Sequence, residues 1–163
     1  MGLPNETQFS RRRWLAGAAG ALGASGIPLA ACAAEARAYD IRVSRDAGCG
    51  CCHAWMELMA RTGRFRSSMS DVADMASLKR SLGVPERLWS CHTSIVAGLI
   101  VEGHVPGADI LRLVETRPAG IIGIAVPGMP LGSPGMEQPD GRHESFDVLA
   151  FDARGEHSVF ARH

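Results

Sequence analysis

The alternation of apolar and polar positions becomes regular at Tyr39. In "YDIRVSRD" the apolar Ile41 and Val43 alternate with Arg42 and Ser44, the period of a short strand. The spacing then changes. Trp55, Leu58 and Met59 recur at helical intervals, with Gly63 available as a stop. "RFRSSMSDV" predicts a second strand, and "DMASLKRSLGVP" a short helix that starts near Asp74 and is stopped by Gly83 and Pro85. "TSIVAGLIVEGHV" holds two β-rich runs about the small-residue step Ala97-Gly98, which predicts a tight hairpin. "PGADILRLVETRP" predicts a helix opened by Pro106 and closed by Pro118, with Ile110, Leu111, Leu113 and Val114 on its apolar side. "GIIGIAVPGMPLGSPGMEQ" then runs from an apolar stretch into a Gly/Pro loop, and "SFDVLAFDARGEHSVF" predicts a last hairpin turning at Asp152 to Gly155. The predicted chain is α/β, in the order β-α-β-α-β-β-α followed by a C-terminal β-hairpin.

The chemistry sits where the first strand turns into the first helix. "DAGCGCCHAW" places Cys49, Cys51 and Cys52 within four residues. Cys51 and Cys52 are neighbours, and a bridge between neighbours strains the preferred disulfide geometry. Cys49 and Cys52 form a C-x-x-C pair with Cys52 near the helix N-terminus, where unpaired N–H groups and the helix dipole favour thiolate and can lower a thiol pKa from about 8.5 to about 3.5. A thiolate is both a nucleophile and a metal ligand, so the pair alone leaves thiol–disulfide exchange and metal binding open. Cys51 has no part in the first and has one in the second.

The order of elements, with a two-cysteine turn after the first strand, resembles a thioredoxin-like fold, and strand directions then gather further residues. The first strand ends at the cysteines, so an antiparallel hairpin must begin and end at that same tip. Cys91 and His92 precede its first strand, and His104 ends its second. The segment after the third helix climbs back to the tip and delivers Met129 and Met136 on its loop. Thioredoxins carry a cis-proline in the loop before the hairpin, whereas "WSCHTS" has no proline there. A potential metal ligand stands in its place. Soft sulfur donors select copper(I), zinc and iron–sulfur clusters, and thioethers lean towards copper(I). Three thiols in four residues do not fit comfortably around one ion, but they can bridge several. His53 begins the helix and can face solvent. Trp55 and Trp89 suit the core or a wall of the site, and His143, His157 and His163 have no role from their positions.

Composition narrows the setting. The 163 residues carry a formal net charge of zero, which gives no electrostatic case for a nucleic-acid partner. Residues 1 to 38 read as an export signal: Ser10-Arg11-Arg12 with Trp14-Leu15 resembles the twin-arginine type, and a mild Gly/Ala-rich apolar stretch follows. "LAAC", ending at Cys32, resembles a lipobox that would anchor the mature protein by a lipid, while "ARA" at Ala36 to Ala38 serves equally for cleavage before Tyr39. Both stay open. The expected domain is 39–163, working in the periplasm, with membrane contact only through a lipid at Cys32.

Four ordered motifs, "CGCCHAW", "SCHT", "VEGHVP" and "AVPGMPLGSPGME", together resemble the CopG-like periplasmic copper-resistance proteins, a bacterial domain of unknown function with predicted metal binding. The resemblance spans roughly Asp40 to Phe160. It implies a thioredoxin-like domain that binds more than one copper ion through bridging cysteines, with a role in copper redox interconversion and detoxification, alongside other periplasmic copper-handling proteins. It assigns ligation to Cys49, Cys51, Cys52 and Cys91 and makes His92 and His104 candidate ligands. Met129 and Met136 rest on the loop argument. The rival from another class is a thiol–disulfide oxidoreductase that uses Cys49 and Cys52.

Overall fold

The computed structural model describes residues 37–163. The export signal and Cys32 therefore fall outside the described residues, save for the last two positions of the segment 1–38. The elements are β1 (Tyr39–Arg45), α1 (Gly50–Arg61), β2 (Phe65–Asp71), α2 (Met75–Ser81), β3 (His92–Val96), β4 (Leu99–Glu102), α3 (Gly107–Thr116), β5 (Ile121–Ala125), β6 (Asp147–Asp152) and β7 (His157–Arg162), with a 3-10 turn at Glu86–Leu88. All strands join one sheet in the order β2-β1-β3-β4-β5-β6-β7. β1 is parallel to β2 and β4 to β5, and the other neighbours are antiparallel.

Local sequence accounts for most boundaries. Asp74 caps α2 by accepting from the Ser77 N–H at 2.8 Å, satisfying one of the orphan donors of the first turn. Pro106 precedes the first residue of α3, and the helix stops at Arg117, in a left-handed conformation just before Pro118. The apolar stretch after Pro118 is more than a climbing segment. It is β5, paired in parallel with β4, and β6 and β7 extend the same sheet beyond it.

Period-two alternation gives the sheet two apolar faces. Val101, Ile124 and Ala150 belong to the larger core, with Trp55 and Met59 of α1 and Ile110, Leu113 and Val114 of α3. Their sequence neighbours Ile100, Ala125 and Phe151 belong to a second cluster with Val84 and Leu88. α3 buries Ile110, Leu113 and Val114 as expected, while Leu111 is only partly buried. Burying side chains of this size stabilises by about 1.5–3 kcal/mol each, which suffices to hold α1 and α3 on the sheet. Among the described residues no helix is long and apolar enough to cross a membrane.

Candidate metal centre

Strand pairing builds the site. Arg45, the last residue of β1, lies opposite His92, the first residue of β3, and Thr93 lies opposite Glu102 at the end of β4. Beyond the strands the Gly103 N–H donates to the His92 carbonyl at 2.9 Å, and the Val126 N–H to the Glu102 carbonyl at 3.0 Å. The ends of β1, β4 and β5 and the start of β3 thus meet at one tip. The turn from β1 into α1 closes with the Cys49 N–H on the Asp46 carbonyl at 3.0 Å, and Cys49 is the N-cap of α1. Arg45, only 8% exposed, holds this turn from behind: its guanidinium donates to the Cys49 carbonyl at 2.6 Å and to Asp71 at 3.0 Å. The loop after β5 lies over the first turn of α1. At Gly135, with φ +84°, an added Cβ would stand 2.7 Å from the Trp55 nitrogen and 3.2 Å from the Cys51 carbonyl. Only glycine combines that approach with that backbone.

Five sulfurs converge there. Cys49 and Cys52 are joined in a disulfide, while Cys51 and Cys91 are free thiols. Cys51 Sγ lies 3.6 Å from Cys49 Sγ, 3.9 Å from Cys91 Sγ and 4.0 Å from Met129 Sδ. Cys91 Sγ lies 3.8 Å from Cys52 Sγ. Met129 is 50% exposed and is the outermost of these donors.

Two imidazoles close the inner side, both fully buried. His104 Nδ1 stands 2.7 Å from the Pro134 carbonyl, which can only accept, so Nδ1 carries the proton. Nε2 is then left with its lone pair directed at Cys91 Sγ, 2.9 Å away. His92 Nδ1 lies 3.2 Å from the same sulfur. Its ring is held between Trp55, centroids 4.6 Å apart, and His104, centroids 5.1 Å apart. The Trp55 indole N–H in turn donates to the Val105 carbonyl at 2.9 Å. Burial, with the neighbouring His104 and Lys79, pulls His92 down to about 3. Burial also lowers His104, against the opposing pull of the Pro134 carbonyl and Glu137. Both rings are therefore neutral near pH 7, the form in which imidazole binds metal. Burial and the adjacent Cys51 push the Cys91 thiol up to about 12, so an incoming metal ion must displace its proton.

The structure brings together Cys49, Cys51, Cys52, Cys91, His92, His104 and Met129. The four cysteine sulfurs lie within 4.8 Å of one another, and so do the donor atoms of Cys91, His92 and His104. The donor set, two thiols with a thioether and two neutral imidazoles, suits a soft ion such as copper(I). Ligation by Cys49 and Cys52 as thiolates requires their disulfide to be reduced first. Met136 takes part through the loop backbone, its N–H on the Ser133 carbonyl and its carbonyl accepting from Gly132. The Cys51–Met129 sulfur contact has no counterpart at Met136 among the hydrogen bonds of the described residues. His53 is exposed on α1.

Sequence reasoning missed the charged floor of the site. Glu102, fully buried, forms an ion pair with Lys79, which is 4% exposed. Thr93 Oγ1 accepts from Lys79 Nζ at 2.9 Å and donates to Glu102 at 2.6 Å, and the Ser90 N–H donates to Glu102 at 2.7 Å. Burial raises the Glu102 carboxyl, while Lys79, Thr93 and Ser90 pull it the other way. The available signal was a glutamate ending the apolar run "LIVE".

A family model described as a protein of unknown function, DUF411, matches residues 88–136, the stretch that carries Cys91, His92, His104, Met129 and Met136. Two solved structures also match. "Copper resistance protein copG", Form 1, is 45% identical with a TM-score of 0.71, covering 78% of this chain and 98% of that one. Form 2 is 45% identical with a TM-score of 0.72, covering 78% of this chain and 99% of the other. No curated protein matches.

Proposed function

The chain belongs to the family of the copper resistance protein CopG, and on that premise we propose that it is an exported copper-binding protein that serves copper resistance by holding more than one copper ion at the sheet tip. The observation that carries this reading is the surrounding of Cys91 Sγ, which touches two cysteine sulfurs and approaches two neutral imidazole nitrogens. Donors this crowded around one sulfur favour sulfur that bridges ions over a closed tetrahedral site for one ion. The domain reads as thioredoxin-like, supported by the sheet order β2-β1-β3-β4 with parallel β1 and β2 and the α1 turn carrying C-x-x-C. The site is redox active in this reading: an external dithiol, oxidised to its own disulfide, would supply the two electrons and two protons that convert the Cys49–Cys52 disulfide into two further thiol ligands. Its partners are copper ions and other periplasmic copper-handling proteins.

Copper(I) titration of the mature protein under anaerobic conditions tests this reading. The reduced protein is expected to hold more than one tightly bound ion per chain, and protein with the disulfide intact is expected to hold fewer. A reduced protein that binds one ion or none sinks the multinuclear reading. The disulfide itself favours the second reading, a thiol–disulfide oxidoreductase with Cys49 as nucleophile and Cys52 as resolving thiol. The same preparation is expected to show little reduction of protein disulfides. Brisk turnover without copper uptake selects the oxidoreductase.

Export belongs to the proposal as well, with residues 1 to 38 as the signal. The intact mass of the processed protein is expected to show either a lipidated Cys32 or a start at Tyr39. A mature chain that retains the twin arginines removes the signal reading.

A further inference from the structure

Two loops reach Cys51 from different parts of the chain, and one side chain, that of Ser90, reinforces a backbone bridge between them. Cys91 Sγ and Met129 Sδ both contact Cys51 Sγ, at 3.9 and 4.0 Å. Ser90 immediately precedes Cys91, and Gly128 immediately precedes Met129. Ser90 Oγ donates to the Gly128 carbonyl, and the Gly128 N–H donates to the Trp89 carbonyl at 3.1 Å, a short parallel bridge between the loops. On its other side the Ser90 N–H is bound to Glu102, whose carboxylate is held by Lys79 and Thr93. Ser90 therefore stands between a buried carboxylate held by three donors and the methionine loop. Gly103, at φ +74°, leaves the room this requires: a Cβ there would overlap the Ser90 side chain and stand 2.8 Å from the Val126 carbonyl.

We propose that Ser90 is a positioning residue that clamps the Cys91 loop to the Met129 loop, so that a thiol and a thioether converge on Cys51. The clamp is anchored by Glu102 and closed by the Ser90 hydroxyl. In its copper-binding consequence the proposal rests on the function given above; in its effect on Cys91 it does not.

The test compares the wild type with Ser90→Ala, Met129→Leu and the double variant, each reduced and metal-free at the start. Copper(I) affinity is read by competition with a chromophoric chelator. One lost hydrogen bond of about 1 kcal/mol corresponds to roughly fivefold in an equilibrium constant, so Ser90→Ala is expected to weaken copper(I) binding by about threefold to tenfold. In the Met129→Leu background the same change is expected to cost less, because the clamp then places only the Cys91 thiol and no longer the thioether. Equal losses in both backgrounds would mean general loosening and overturn the proposal. The second readout needs no copper: the rate of Cys91 alkylation by iodoacetamide, located by peptide mass. Freeing the loop raises its open population, so Ser90→Ala is expected to speed Cys91 alkylation by about fivefold, with the melting temperature lowered by only about 2–4 °C. An unchanged alkylation rate overturns the clamp. If the wild type binds no copper, the functional reading fails while the alkylation result still decides for or against the clamp.

Discussion

Cys91→Ser is expected to lower the copper(I) affinity of the reduced protein by about a hundredfold or more. Losing an outer partner of a metal ligand already costs about 10- to 100-fold. Cys91 sits closer to the chemistry than that, with Cys51 and Cys52 sulfurs at 3.9 and 3.8 Å and the two imidazole nitrogens at 3.2 and 2.9 Å. A hydroxyl is a hard and poorly acidic replacement for a soft thiolate. Chelator competition under anaerobic conditions measures the change, and His53→Ala, on the exposed side of α1, serves as the control that leaves affinity unaltered. The pH dependence adds an independent check. Because burial and the adjacent Cys51 already push the Cys91 thiol up with the Cys49–Cys52 disulfide in place, binding must expel its proton near neutral pH. Each displaced proton makes affinity rise by about tenfold per pH unit. Cys91→Ser is expected to lower this slope by one proton. An affinity within threefold of the wild type, with an unchanged slope, would show that Cys91 is not a ligand.

Lys79→Met is expected to destabilise the metal-free protein by about 3–5 kcal/mol, the cost of leaving one member of a buried ion pair without its partner. Glu102 is wholly buried and would retain only Thr93 and the Ser90 N–H as donors. For a domain of this size the loss corresponds to a fall in melting temperature on the order of 10 °C. Lys79→Met combined with Glu102→Leu removes the uncompensated charge and is expected to recover part of the loss. It remains about 1–3 kcal/mol below the wild type because the Ser90 N–H loses its acceptor. The sign of the pH effect follows from Glu102. With Lys79 gone, its carboxyl is raised further above the unfolded value near 4.5, so above that pH the unfolded chain gives up a proton that the folded chain retains. Stability of Lys79→Met therefore falls as pH rises from about 4.5 through the folded-state value. Thermal unfolding at pH 4.5 and pH 8 measures it. Single and double variants equally unstable at both pH values would remove the ion pair as the cause.

Much of this protein was legible along the chain. Strand alternation in "YDIRVSRD", the helical recurrence of Trp55 and Met59, Asp74 as a cap and Ala97-Gly98 as a turn are local signals, and each element formed where they pointed. Ala97 and Gly98 both take positive φ to make that turn. Hairpin direction then placed Cys91, His92 and His104 beside the first cysteine turn, because antiparallel pairing returns the chain to the end from which it left.

What the sequence by itself determined, then, was which residue types arrive at the tip. Tertiary structure alone decided how they meet there. Four cysteines in one place admit several pairings, and the folded chain joins Cys49 to Cys52 and leaves Cys51 and Cys91 free. Met129 and Met136 stand alike on the loop in sequence, whereas packing over α1 brings a contact to Cys51 from Met129 only among the described residues. The neutral state of His92 and the tautomer of His104 depend on burial and on the Pro134 carbonyl, 30 residues further along the chain. Lys79 and Glu102, 23 residues apart, each look like ordinary surface charges until both are enclosed. The physical reason is the same in every case. Period and capping are set within a few residues, whereas burial, ion pairing and sulfur–sulfur proximity are set by which distant segments the packed sheet brings together.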